Sequence, residues 1–399
     1  MKILSAAEMR EVDRLTTERY KIPSLLLMEN AAVATVEAVE KKYGPVAGKR
    51  ALIVCGRGNN GGDGAAIARQ LWKRGCSCAV LLLARVAEAR GDARTNFEIA
   101  QALAVTENPS FQFIEVESFA QFQQQASAFS CDFIFDAMFG TGLTRPVTGI
   151  YADVIRFFSE TEKAAPVIAV DIPSGIASDS AELMGVALRA DLTVTFTAPK
   201  VASVLPPACD YSGELVTASI GSPDELITSS GSRLTLIERD MVADWLAASR
   251  RSPHANKGDA GKVLIIAGSR GKTGAACLAG EAALRAGAGL VTIATPESAQ
   301  PVIAAQAIAE CMTEALAETG AGAVAREAIA RALDMAKERD VLALGPGLGS
   351  SEESTRDFAH TVVAGRERPM VIDADGLNAL APWPAELGGS AQLPIILTP

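Results

Sequence analysis

The chain has 399 residues, 49% of them hydrophobic, with a formal net charge of −10 and a pI near 5.0. That length implies two or three domains, and that apolar share is ample for large cores. The acidic balance argues against a nucleic-acid partner, which would favour a basic face. No apolar run approaches the roughly 18 residues that a membrane span needs, and the opening MKILSAAEMREVDRL lacks the apolar segment and cleavage site of a signal peptide. The seven cysteines are scattered, and Cys76-Ser-Cys78 has neither redox nor zinc spacing, so reduced core thiols and a cytoplasmic location are expected. Two histidines in no recognisable cluster leave little for zinc or triad chemistry.

Residues 5–42 read as two helices separated near Lys21-Ile22-Pro23. Ser5 with Glu8 has the spacing of a capping box, and Pro23 suits the start of the second helix. Asn30, on that second helix, faces either a polar site or solvent.

The next stretch, Ala51–Gly64, is ALIVCGRGNNGGDG: a β-branched strand, a glycine-dense turn, then a helical pattern over 65–73. Strand, Gly-rich loop and helix in that order present backbone N–H groups to a phosphate. The five glycines at 56, 58, 61, 62 and 64 permit positive φ and close ligand approach. The plainer reading is a tight turn capped by Asp63, but a cap requires neither two adjacent Asn nor five Gly. Gly56, Gly58 and Gly61 satisfy G-x-G-x-x-G, yet the following strand ends in Ala84-Arg85 and not in the ribose-binding acid of a dinucleotide fold. Arg85 could suit a 2′-phosphate; an NAD-dependent dehydrogenase is not the natural reading.

Strands are predicted at 51–55, 78–83, 111–115, 132–136, 166–171, 191–197 and 214–219, alternating with helical stretches. That alternation implies a mainly parallel sheet with ligands outside the carboxyl ends of its strands. The loops that matter then follow Cys55, Asp136, Asp171 and Thr197. Asp136 ends a strand and precedes Gly140-Thr141-Gly142, a second anion-cradling turn, with Arg145 as a phosphate grip. Asp171 ends another strand and leads into Ile172-Pro173-Ser174-Gly175. Each Asp alone could merely order its loop; two at strand tips beside an Asn-rich glycine turn suggest one oxygen-rich pocket that needs a counter-charge.

Residues 221–250 are linker-like, with a short strand expected at 233–237 and a helix near 239–248. A second strand-loop-helix cycle opens at Lys257, with a Gly/Ala-rich helix over 274–289. Gly271-Lys272-Thr273 suggests a phosphate loop, but Ile266 stands where that fingerprint needs Gly.

NNGGDG at 59–64, DAMFGTGLTR at 136–145 and DIPSG at 171–175, in this order and spacing, resemble the NAD(P)H-hydrate epimerase domain over residues 1–225. The resemblance implies a Rossmann-like three-layer α/β/α fold that interconverts the R and S epimers of hydrated NADH and NADPH, the 6-hydroxy-tetrahydro forms NADHX and NADPHX. It implies a K⁺ ion held by Asn60, Asp136 and Ser174, oxygen donors that suit a hard cation. The substrate would lie on Asn59, Asn60, Gly61, Gly62 and Asp63, on Gly140, Thr141, Gly142, Leu143, Thr144, Arg145 and Pro146, and against Asp171. Arg57 stands where the family commonly has Pro. Epimerisation needs an acid/base near the hydroxyl, and Asp171 is the residue expected in that role. Lys200 either meets a phosphate or is an ordinary surface lysine. Arg85 and Arg145 are the candidates to contact a 2′-phosphate.

The stretch 257–296, with Gly345-Pro-Gly347-Leu-Gly349 and Val371-Ile-Asp373-Ala-Asp375, resembles the ADP/ATP-dependent NAD(P)H-hydrate dehydratase, a ribokinase-like α/β fold. The resemblance implies ADP or ATP as co-substrate and places the hydrated nucleotide near Ala275 and Gly347. The family's His-containing loop and G-T-G-D segment do not occur in 251–399, so this half is expected to be a partial domain, inactive as given, with an unpaired sheet edge. Residues 226–250 would be the linker. Two other readings stand beside this one: a non-catalytic nucleotide-binding or scaffold module on the N-terminal fold, and a sugar- or vitamin-type kinase, which would need the missing glycine-rich segment. Exposed helical faces leave association into a homo-oligomer open.

Overall fold

The computed structural model describes residues 1–105, 110–160, 165–250, 252 and 254–399. The chain divides into two compact units, Met1–Arg239 and Asp240–Pro399. In the first, the order is α1 (Ala6–Tyr20), α2 (Ser24–Tyr43), β1 (Arg50–Cys55), α3 (Asn59–Lys73), β2 (Ser77–Leu82), α4 (Gly91–Val105), β3 (Phe111–Glu115), α5 (Phe119–Ala128), β4 (Phe133–Ala137), α6 (Ile150–Glu160), β5 (Val167–Val170), β6 (Leu192–Phe196), β7 (Glu214–Ala218) and α7 (Asp224–Thr228). All seven predicted strands are present.

They form one parallel sheet in the order β3-β2-β1-β4-β5-β6-β7. The β1 run is buried throughout from Ala51 because helices cover both faces. Ile53 and Cys55 face a core shared with α2, α3 and α4, while Leu52 and Val54 face one shared with α5 and α6. This is the expected α/β/α sandwich. Between β1 and β4 the strand order reverses, which opens a crevice at their carboxyl ends.

The two N-terminal helices form as expected: Ser5 and Glu8 make the capping box, and Pro23 is the residue before α2. Asn30 donates from Nδ2 to the Ile220 carbonyl at 2.8 Å, so it serves packing.

Four expectations change. The helix predicted over 65–73 starts at Asn59, so the glycine-dense turn is its first turn and Asp63 lies inside it, not at its cap. None of Gly56, Gly58, Gly61, Gly62 and Gly64 has positive φ. Most of these glycines are required by crowding: a Cβ would lie 2.1 Å from the Met138 carbonyl oxygen at Gly56, 1.7 Å from the Gly56 oxygen at Gly61, and 2.5 Å from Ala137 Cβ at Gly64. The segment expected as a linker from 226 is also partly built in: Leu226 packs with Leu4, Met9 and Val12, and Ile3 N–H donates to the Leu234 carbonyl. In place of the strand expected at 233–237 there is a single bridge between Lys2 and Thr235.

The second unit contains α8 (Arg239–Ala248, which straddles the boundary), β8 (Lys262–Ile266), α9 (Thr273–Ala286), β9 (Leu290–Pro296), α10 (Gln300–Gln306), β10 (Cys311–Leu316), α11 (Ile329–Lys337), β11 (Val341–Leu344), α12 (Glu353–Ala364), β12 (Met370–Asp373), α13 (Asp375–Ala379) and β13 (Ile395–Thr398). Its parallel sheet runs β10-β9-β8-β11-β12-β13. α9 and α10 cover one face, α11 and α12 the other. β13 is an edge strand, and its Ile396 and Leu397 are exposed. Among the described residues no helix is long and apolar enough to cross a membrane.

Candidate active site

A cavity of about 1340 Å³ opens in the first unit where the carboxyl ends of β1, β4, β5 and β6 meet α1 and α2. The glycine-dense turn contributes Asn59, Asn60 and Asp63, the β4 turn contributes Met138 to Leu143, and Asp171 and Lys200 complete the floor. Three segments far apart in sequence therefore share one wall. Of the predicted substrate residues, Gly140, Thr141, Gly142 and Leu143 line it, whereas Thr144, Arg145 and Pro146 are exposed. Gly61 and Gly62 are buried in the α3 start behind it.

The residues expected around a cation are linked through Phe139. Asn60 donates from Nδ2 to the Phe139 carbonyl at 2.8 Å, and Phe139 N–H donates to Ser174 Oγ at 3.1 Å. Ser174 Oγ in turn donates to Asp136 Oδ1 at 2.5 Å, and its N–H to Oδ2 at 2.7 Å. Asp136 is 1% exposed, and no ion pair among the described residues neutralises it. Burial pushes its carboxyl up to about 6 despite the Ser174 bonds. A buried carboxylate with hydroxyl and amide oxygens beside it, and no basic side chain, is a donor set that fits an alkali cation.

Asp171, just past the end of β5, has φ of +66°, a strained conformation for a residue other than glycine. Its Oδ1 accepts from Lys200 Nζ at 2.5 Å, Thr195 Oγ1 at 3.1 Å and Phe196 N–H at 3.4 Å. Lys200 is 1% exposed and also donates to Thr195 Oγ1 and the Phe196 carbonyl. The lysine is thus neither a surface residue nor free for a phosphate, but the buried partner of Asp171. Arg85 lines the cavity rim, paired with Glu117 at 2.7 Å; Arg57 pairs with Glu88 at 3.2 Å.

One residue was not visible as a site residue in the sequence. Asp13 of α1 lines the cavity, and its Oδ1 has neither solvent contact nor a hydrogen-bond partner among the described residues. Burial pushes its carboxyl up to about 6, with Lys200 acting against and Asp171 with that shift. Burial, with the charges of Asp171 and Asp13, also drives Asp63 well above the usual carboxylate range. The available signal was the helical stripe Ala6, Met9, Val12, Thr16, which is buried and on which Asp13 sits one turn after Met9.

In the second unit Ala275 and Gly347 do come together. Gly347 has φ of +67°, and a Cβ there would lie 3.0 Å from Ala275 Cβ. Ser269 Oγ donates to the Gly347 carbonyl at 2.7 Å, while Asp375 accepts from Lys272 Nζ at 2.8 Å and from Gly349 N–H at 2.9 Å.

Residues 24–202 match the model of the YjeF-related protein N-terminus, and residues 263–399 match that of the NAD(P)H-hydrate dehydratase. The bifunctional NAD(P)H-hydrate repair enzyme of Moorella thermoacetica is 41% identical over 402 aligned positions, covering 100% of this chain and 73% of that protein. The enzyme of the same name from Thermofilum pendens is 36% identical, covering 100% and 72%. Among solved structures, an ADP/ATP-dependent NAD(P)H-hydrate dehydratase from Bacillus subtilis, co-crystallized with ATP/Mg²⁺, is 30% identical over 39% of this chain and 50% of its own, with a TM-score of 0.30. Two units of matching kind, in the order of relatives aligned along the whole chain, lead to one conclusion: the chain belongs to the bifunctional NAD(P)H-hydrate repair enzymes.

Proposed function

We propose that the first unit interconverts the R and S epimers of NADHX and NADPHX in the cavity above β1, β4 and β5. The observation that carries this reading is the convergence of Asn59, Asn60 and Asp63, of 138–143 and of Asp171 on one cavity, with the buried Asp136–Ser174 pair behind it. Inverting the hydroxylated ring carbon requires its C–O bond or an equivalent one to break and re-form, which needs a general acid/base near the hydroxyl. Asp171 is positioned for this or to govern it, since its Oδ1 is held by three donors at the cavity floor.

Asn60, Asp136 and Ser174 would hold K⁺, which when bound supplies positive charge to the buried Asp136 carboxylate. The protein's own part is the Phe139 turn, whose amide and carbonyl tie Ser174 to Asn60 and fix the substrate-facing 140–143 segment. In the second unit, the hydrated nucleotide would rest against Ala275 and Gly347, with ADP or ATP as co-substrate for dehydration of the S epimer.

The test is direct. Purified full chain is given R-NADHX in a potassium buffer, and the epimers are resolved by chromatography. Appearance of S well above the spontaneous rate is expected. Tight nucleotide binding without acceleration would turn the reading to a non-catalytic module. Recovery of NADH absorbance on adding ADP reports the second unit.

A further inference from the structure

We propose that Asp13, from the N-terminal helix, is a catalytic residue of the epimerisation, the carboxyl group that gives a proton to the substrate hydroxyl and takes one back. This rests on the epimerase reading of the cavity and adds a residue outside all three sequence motifs.

Six carboxyl groups line the cavity: Glu88 and Glu117 pair with Arg57 and Arg85, Asp92 accepts from Ser24 Oγ, and Asp13, Asp63 and Asp171 remain. They differ in what already occupies their oxygens. Asp171 Oδ1 is engaged by Lys200, Thr195 and the Phe196 amide, which leaves it as a fixed partner of a buried ammonium. Asp63, near the α3 start, is raised well above the usual carboxylate range by burial and by the charges of Asp171 and Asp13. Asp13 lines the cavity and makes no hydrogen bond among the described residues: its Oδ1 is shut away from solvent without a donor, which leaves Oδ2 as the oxygen a ligand can reach. A buried carboxylate oxygen without a donor is costly and uncommon. A substrate hydroxyl placed in the cavity would meet the same carboxyl group through Oδ2.

The charges facing Asp13 come from each element packed around it. Arg10 lies on its own helix, Asp63 on α3, Asp171 beyond β5 and Lys200 beyond β6. Burial and Asp171 raise the Asp13 carboxyl and Lys200 restrains it, leaving it at about 6, near a neutral working pH where proton carriers are most effective.

The step balances. As the C6–O bond breaks with its electron pair on oxygen, the ring-nitrogen lone pair forms the C6=N1 bond. The departing oxygen takes the Asp13 proton and leaves as water. A water then adds to the opposite face of the iminium, the C=N pair returns to nitrogen, and the added water's proton returns through cavity water to the Asp13 carboxylate. Asp13 ends as it began, and C6 is inverted.

The experiment compares full-chain wild type, Asp13→Asn and Asp13→Glu with R-NADHX in potassium buffer, measuring kcat, KM, pH profile and melting temperature. Asp13→Asn is expected to lower kcat by about 10²–10³-fold with KM within about threefold, as for loss of a general acid/base. The profile's inflection near 6 is lost in that variant, Asp13→Glu recovers part of the rate, and the melting temperature does not fall. Asp13→Asn turning over within about threefold of wild type, or losing activity only through KM or through a lower melting temperature, overturns the role of Asp13 while leaving the epimerase reading intact. A wild type that does not epimerise overturns both.

Discussion

Replacing Lys200 by Met tests the Asp171 arrangement most severely. The lysine side chain is 1% exposed and that of Asp171 13%, so the substitution leaves a largely buried carboxylate beside Thr195 and the Phe196 amide alone. Removing one partner of a buried ion pair costs about 3–5 kcal/mol, because the remaining charge is uncompensated. The small opening at Asp171 places the cost near the lower end, about 3 kcal/mol. For a unit of this size that is a fall in melting temperature of about 6–12 °C. The three tryptophans allow the first unit to be followed separately: Trp72 lies in it, while Trp245 and Trp383 lie in the second. In a Trp245→Phe, Trp383→Phe background, urea and thermal melts followed by Trp72 fluorescence report the required transition. Lys200→Met combined with Asp171→Asn should recover much of the loss, since no unpaired charge is left. A Lys200→Met loss below about 1 kcal/mol, or a double variant whose losses simply add, would refute the claim that this pair is a coupled buried element.

Gly61→Ala should destabilise the first unit by more than about 3 kcal/mol and abolish epimerisation, since its Cβ would lie 1.7 Å from the Gly56 carbonyl oxygen, a backbone atom that cannot rotate away; a soluble, active variant would show the α3 start to be wrongly placed. Phe122→Ala, which empties a fully buried site between Phe157 and Phe158 at 5.7 Å each, should cost about 3–5 kcal/mol in the same melts without altering KM. Asp13 is raised to about 6 from 3.8, so the folded form binds more protons than the unfolded one in that interval, and its contribution to stability declines as pH rises from about 4 to about 6. Wild-type stability relative to Asp13→Asn should therefore decline across that window, by up to roughly 3 kcal/mol; a constant difference would count against the burial of Asp13. Exchanging K⁺ for tetramethylammonium should lower the first unit's melting temperature in wild type and leave Asp136→Asn unmoved; equal responses would remove the ion from these residues.

How far the fold was legible follows from burial. Strands such as 51–55 and 133–137 are covered on both faces, so they read as unbroken apolar runs, and alternation with helices announced a parallel sheet. The start of α3 was not legible, because five glycines in nine residues mimic a loop. Only the folded packing shows that most of them are spaces left for Met138, Gly56, Ala93 and Ala137, not points of unusual φ. Lys200 was ambiguous for another reason: nothing local marks a lysine whose ammonium is satisfied by Thr195, Phe196 and a residue twenty-nine positions earlier. Asp13 carried a weak local mark, a charge on a buried helical stripe, which only a tertiary neighbour could make meaningful.

The three motifs are coupled because one dipeptide unit serves all of them. The crevice between β1 and β4 exists because strand order reverses there, but a reversal alone leaves two loops diverging. They are held together by Met138 and Phe139: the Met138 carbonyl occupies the space that a side chain at Gly56 would need, Phe139 accepts from Asn60, and its amide reaches Ser174. Ser174 then closes onto Asp136, one strand back. A change at any one of Gly56, Asn60 or Ser174 must therefore move the 138–140 backbone, and with it the cavity segment that begins at Gly140. It follows that substitutions at Asn60 and Ser174 should be non-additive, each disturbing the same turn, even though 114 residues separate them. If the ion contacts were independent, the two losses would add.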